Sequence, residues 1–181
     1  TPQEIFFYRF LIAYLGIWVI SPKRLFTNNW QDELWLVAGG IFGGSLYFFT
    51  ENTALGITQA SNVSFIICTA PLLTTILSLL FYKSEKASKG LIYGSLLALM
   101  GVGLIVFNGS FVLKISPIGD LLTLLAALSW AFYSLIIKKM AGRYPTIFIT
   151  RKIFFYGVLT ILPAFLLHPL HPDTVVLLQP A

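Results

Sequence analysis

The sequence predicts an all-α polytopic membrane protein, and three observations carry that reading. Of its 181 residues, 57% are hydrophobic and only 10% charged, with a mean hydropathy of +0.84. Soluble domains sit nearer roughly 45–50% apolar and about 25% charged, so one soluble core of this size could not hide so much apolar surface. That excludes an ordinary cytosolic globule and a disordered chain. Second, the apolar residues fall into six runs, each near the length of about 20 residues that crosses a bilayer core. Third, the basic residues gather between alternate runs. A net charge of +5 and a pI near 9.4 would otherwise suggest nucleic acid, but this placement is that of membrane topology. No nucleic-acid partner is expected.

The six runs, spans A to F, cover residues 5–20, 34–55, 60–82, 90–107, 118–137 and 146–167. Each is read as a transmembrane helix, because 16–23 residues without alternation cannot be barrel strands. Short polar connectors separate them, among them Ser21-Pro22-Lys23-Arg24, Lys83-Ser84-Glu85-Lys86 and 138–145. These are too short for a soluble domain. The last turn of the A–B connector and the C–D connector read as solvated charge faces. Residues 168–181, with three prolines, read as an extracytoplasmic loop that is truncated. The single cysteine, Cys68, implies no disulfide and no oxidising compartment. The chain opens on Thr1, and we read it as a fragment of a longer membrane protein.

Orientation follows from the cations. Lys23, Arg24, Lys83, Lys86, Lys89, Lys138, Lys139, Arg143, Arg151 and Lys152 share one face, against Lys114 on the other and Arg9 within span A. The positive-inside rule puts those ten in the cytoplasm and the residue 1 end outside. The loops near residues 23, 86 and 143 are then cytoplasmic, in a multi-pass protein of the bacterial inner membrane.

An internal repeat points to function. Pro2 precedes Arg9 by seven residues and Pro145 precedes Arg151 by six, each pair followed by aromatics and a glycine (Gly16, Gly157). Spans A and F are separated by an odd number of crossings, so they run in opposite directions. Inverted repeats of this kind build secondary transporters, with the substrate near the midplane between the halves. The implied whole is about ten spans, one before Thr1 and about four after Ala181.

Several stretches resemble the EamA family of the drug/metabolite transporter (DMT) superfamily. They are Ala54-Leu55 with Thr58-Gln59-Ala60-Ser61-Asn62-Val63-Ser64, then Pro71, Glu85 and Gly94 through Gly101-Val102-Gly103. Gly119-Asp120-Leu121-Leu122 with Ala126-Ala127 and Trp130-Ala131-Phe132-Tyr133 continues the resemblance, and Pro2 with Arg9 is similar to the start of that family's second helix. The resemblance implies a ten-helix bundle of two inverted five-helix repeats that moves amino acids, other metabolites or drugs, often outward. It makes residues 1–109 helices 2–5 of the first repeat and 110–167 the first two helices of the second. The first helix and most of the second repeat are not in this chain, so half the substrate site is not here to read.

Ionisable groups within a span each need a reason, since burial in lipid is costly. Arg9 and Glu51 fall at similar depth near the outer ends of spans A and B. We expect them to face the bundle interior, either bracketing a zwitterionic substrate or forming a fixed ion pair, with Tyr47 of the same stretch in the substrate site. Glu51 is also the candidate proton-coupling carboxylate, making protons a candidate partner. Asp120 reads as a helix N-terminal acid. In span C, Ser61, Asn62, Ser64 and Thr69 form a polar stripe that Pro71 is expected to kink, with Asn62 lining a cavity or bonding between helices. Trp130 and Tyr133 lie mid-span, where a ring can stack on a substrate or pack the core. Trp18, Trp30 and Trp35 read as interfacial anchors. Gly39 with Gly43 and Gly40 with Gly44 form two overlapping small-residue packing faces, and Gly90 with Gly94 a third.

No nucleophile elbow, phosphate loop, zincin motif or Cys/His ligand set is present, and His168 with His171 alone make a poor metal site. We therefore expect no enzyme, cofactor or metal. The expected function is efflux of a small metabolite or amino acid by alternating access, with the lipid bilayer and a small-molecule substrate as partners. The alternative class is a non-transporting membrane protein, a scaffold or a lipid-modifying enzyme whose catalytic half lies elsewhere.

Overall fold

Apolar runs of this length satisfy their backbone polar groups within themselves, and the described residues accordingly fold as helices. The computed structural model describes residues 2–22, 26–27, 29–82, 89–107, 116–163 and 165. Among these there is no strand. The helices are α1 (Pro2–Ile20), α2 (Trp30–Gly40), α3 (Leu46–Ile57), α4 (Ala60–Ile67), α5 (Ala70–Phe81), α6 (Lys89–Phe107), α7 (Pro117–Ala141) and α8 (Thr146–Ile161). A π-helical turn, Ile41–Ser45, joins α2 to α3 without a break. Lys23, Arg24, Lys83, Lys86, Lys114 and the loop 168–181 with its histidines lie outside the described residues.

Local chemistry sets the helix ends. The Asn29 side chain accepts from the Gln31 N–H (3.2 Å) and caps α2, whose first turn carries Asp32 and Glu33. In α7, Pro117 and Asp120 occupy the first turn and Lys138 and Lys139 the last, each favourable to the helix dipole. Asp120 accepts from the Ser116 N–H (3.2 Å) and from the Thr58 hydroxyl (3.4 Å), fastening α7 to the α3–α4 turn. The interruption of span C falls at Cys68 and Thr69, just upstream of Pro71, which stands in the first turn of α5. A missing N–H costs nothing there.

The helices pack in two knots. One holds Leu36 of α2, Ile136 and Met140 of α7, and Phe148, Ile149, Ile153 and Tyr156 of α8. The other, at the opposite end, holds Phe6 and Phe10 of α1 with Ile161 of α8. Two stretches, Ala60–Phe81 and Pro117–Ala141, are long and apolar enough to cross a membrane, and Ile92–Gly101 is a shorter apolar run. Large apolar side chains stand exposed along α6, including Tyr93, Leu97, Met100 and Leu104.

Two expectations are corrected. The helix of span B begins at Trp30, four residues before the apolar run, and the acids beside that run are not a solvated face: Asp32 and Glu33 are 4% and 7% exposed. At Gly94 of the third glycine face nothing among the described residues stands within 4 Å of where a side chain would begin, so no close helix approach occurs among them at that position.

Candidate functional site

Residues four apart share a helix face, and on α3 the Tyr47 hydroxyl donates to the Glu51 carboxylate (3.0 Å). Facing them on α7 are Trp130 and Tyr133, three residues apart. The Tyr47 and Trp130 rings lie 5.2 Å apart and those of Trp130 and Tyr133 5.1 Å apart, within the range of aromatic pairing. Tyr133 is admitted by Gly43, whose missing side chain leaves the space its ring occupies. Arg9 joins from α1 through a ring: its guanidinium sits 5.8 Å over Phe48, next in the chain to Tyr47. Arg9 forms no ion pair with Glu51, so the fixed-pair reading of these two charges is set aside. The structure thus brings together Tyr47, Glu51, Trp130 and Tyr133, with Arg9 one ring away. Asn62 is buried on a different helix, α4, which packs on α7 and α6.

The π turn positions this group. Its Phe42 carbonyl accepts from the Ser129 hydroxyl of α7 (2.7 Å), and its Ser45 hydroxyl accepts from Thr160 of α8 (3.0 Å). Such turns insert one residue into a helix and redirect the side chains after it, frequently at functional sites. On the other side of the turn, a cavity of about 290 Å³ is lined by Trp35, Phe42, Phe81, Tyr82, Phe132 and Lys139. Phe42 and Phe132, which line this cavity, form an aromatic pair of their own (5.4 Å), and the Lys139 ammonium rests 3.7 Å from the centre of the Trp35 ring.

The small-residue faces of α2 and the π turn serve two neighbours. Gly40 meets the Gly157 backbone nitrogen at 3.0 Å and Gly44 the Gly157 Cα at 3.3 Å from the position of an added Cβ, while Gly39 takes Ile153 and Ile136. Close approach at these points draws the end of α2 onto α8. There, Lys152 and Tyr156 both donate to one oxygen of Glu33, and Thr27 donates to the other from its N–H (3.0 Å) and hydroxyl (2.7 Å). Arg143 donates to Asp32 at 2.6 Å and Tyr144 to the same carboxylate at 3.0 Å. Arg151, also buried, donates to the carbonyl of Ser21 at the end of α1. Glu33 precedes the apolar run 34–55. Burial pushes its carboxyl up, but the bonds from Lys152, Tyr156 and Thr27 together outweigh burial and hold it down at about 2.

A family model described as the EamA-like transporter family matches residues 1–107. The chain belongs to this family. Three curated relatives are each named an uncharacterized transporter. YdfC of Bacillus subtilis is 31% identical over 149 residues, covering 80% of this chain and 47% of the relative. Two proteins of Archaeoglobus fulgidus are 29% identical over 166 residues (90% of this chain, 56% of theirs) and 26% over 177 (97% and 59%). The chain spans about half the length of the relatives it matches. No solved structure matches it.

Membership of the EamA family makes this an α-helical, multi-pass membrane protein. It also gives the buried charges of the EamA chain their weight, because sequence reasoning assigned them only to topology. Lys152 was legible solely as one cation near a membrane boundary, and Asp32 and Glu33 as loop acids. The available signal was the placing of Asp32-Glu33 directly before the apolar run 34–55 and of Arg151-Lys152 inside the run 146–167.

Proposed function

We propose that this EamA chain is part of a secondary transporter that exports a small metabolite or amino acid across the cytoplasmic membrane by alternating access. The observation that carries the reading is the Tyr47–Trp130–Tyr133 group with the Glu51 carboxylate bonded to it. Rings offer a solute stacking surface, while one carboxylate and the nearby Arg9 guanidinium offer opposite charges to a polar head. Such a site is apolar with few polar groups, as small-molecule sites are. The aromatic-lined cavity beside it supplies room on the way to the basic end.

The distribution of cations supports a cytoplasmic basic end and an external residue 1 end, with all six helical bodies crossing the membrane. Residues 1–109 are proposed as helices 2–5 of a first repeat and 110–167 as the first two of a second. Antiparallel packing of α1 on α8, through Phe6 and Phe10 against Gly157 and Ile161, supports their inverted relation. Glu51 is the proposed proton-coupling group.

The test compares compounds released by cells carrying the complete reading frame with cells carrying its Glu51→Ala version, at equal membrane levels. A compound enriched outside only with the intact protein supports export and names the solute. No difference for any compound overturns the export reading.

A further inference from the structure

The ion pairs at the basic end belong to no part of the solute group, and they sit at the tip of a helix with a hinge behind it. Asp32 and Glu33 are adjacent on α2, and adjacent helical residues point about 100° apart. One carboxylate therefore reaches Arg143 and Tyr144 at the α7–α8 connection, and the other reaches Lys152 and Tyr156 on α8. The pairs form a series from wet to dry: the Arg143 side chain is 53% exposed and that of Lys152 only 5%. We infer that α2 is a hinged latch over the basic end of the solute path, held shut by Asp32–Arg143 and Glu33–Lys152 and swinging about the π turn Ile41–Ser45.

Three features favour a latch over a brace. A buried ion pair is a weak net stabiliser compared with apolar packing of the same volume, yet its partners regain water when they part, and Arg143 already reaches solvent. The turn behind α2 holds Gly43 and Gly44, and it is bonded to α7 through Ser129 and to α8 through Thr160. It can stay in place while α2 moves, and hinges are commonly a few residues of this kind. At the far end, α3 is fastened, since Thr58 donates to Asp120 and Ser116 donates to the Ile57 carbonyl (3.2 Å). Of the two helices that the turn joins, α2 is therefore the one left to swing, with Leu36 leaving its seat against α7 and α8 as it opens. What it admits rests on the transport reading; whether it opens does not.

The experiment needs no solute. In membranes carrying the complete reading frame with its cysteines, Cys68 included, replaced by serine, one reporter is introduced at a time. Met140→Cys lies behind the latch, fully buried beside Leu36, and Ala54→Cys is equally buried on α3 beyond the hinge. A small maleimide is applied from the basic side. Arg143→Gln should raise labelling of Met140→Cys about fivefold, the ratio set by losing a partly exposed pair, and leave Ala54→Cys protected. Arg143→Lys, which keeps the charge, should stay near the unaltered rate. Labelling that rises at both reporters means general loosening and overturns the latch. So does an unchanged rate, which makes the pair a static brace, or an Arg143→Lys protein as open as Arg143→Gln. If Arg143→Gln does not reach the membrane, Asp32→Asn is read in the same way. Selective opening without any exported compound would leave the latch standing and remove the transport reading.

Discussion

Lys152 donates to the carboxylate of Glu33 across 119 residues of sequence, and both are almost closed to solvent. Removing one member strands the other charge in the bundle, which costs about 3–5 kcal/mol. Lys152→Gln should therefore lower the melting temperature of the purified protein far more than Arg143→Gln, whose half-exposed pair is worth at most about 1 kcal/mol. Thermal melts of the two variants check this; equal losses would place the two pairs in equal environments.

Acid should act through the same carboxylate. The folded-state value of Glu33, about 2, lies below its ordinary 4.5, so the unfolded chain takes up the proton first. The stability it lends is complete above pH 4.5 and is lost as pH falls towards 2. Melts between these limits should show a decline that Glu33→Gln lacks. A Glu33→Gln protein that keeps the full decline would assign it to other groups.

Gly40 and Gly16 make a matched pair of substitutions. A methyl at Gly40 meets the Tyr156 side chain and the Gly157 backbone, whereas nothing stands within 4 Å of Gly16. Overpacking of this kind costs about 1–3 kcal/mol, while alanine for an uncrowded helical glycine gains about 0.5–1 kcal/mol. Gly40→Ala should melt lower and Gly16→Ala no lower than the parent. If the two behave alike, α2 and α8 are not in the close approach described.

The proposed coupling role of Glu51 has its own readout. Once a solute is in hand, Glu51→Gln should abolish the dependence of its export on a pH gradient. Tyr47→Phe, which removes the hydroxyl but keeps the ring, should shift that dependence while retaining stacking with Trp130. Full gradient dependence in Glu51→Gln would assign coupling elsewhere.

Much of the candidate site was legible because its spacing is local. Tyr47 and Glu51 are one helical turn apart on α3, as are Trp130 and Tyr133 on α7, so each pair shares a face by helix geometry alone. That the two faces meet was not legible. It depends on the space at Gly43 and on a Ser129 bond to Phe42 that spans 87 residues. The place of Arg9 over Phe48, and not on Glu51, likewise turned on how α1 packs.

Composition, run length and the spacing of cations were sufficient by themselves for the all-helical membrane class of the protein, because a bilayer tolerates few backbone arrangements. Only the tertiary structure decided what Asp32, Glu33 and Lys152 do. Near a membrane boundary an ionised side chain can equally well face water or a partner, and the outcome depends on which distant helix arrives beside it. Gly40 and Gly157 let α8 come close enough for Lys152 to reach Glu33, and that proximity turned boundary charges into a buried pair.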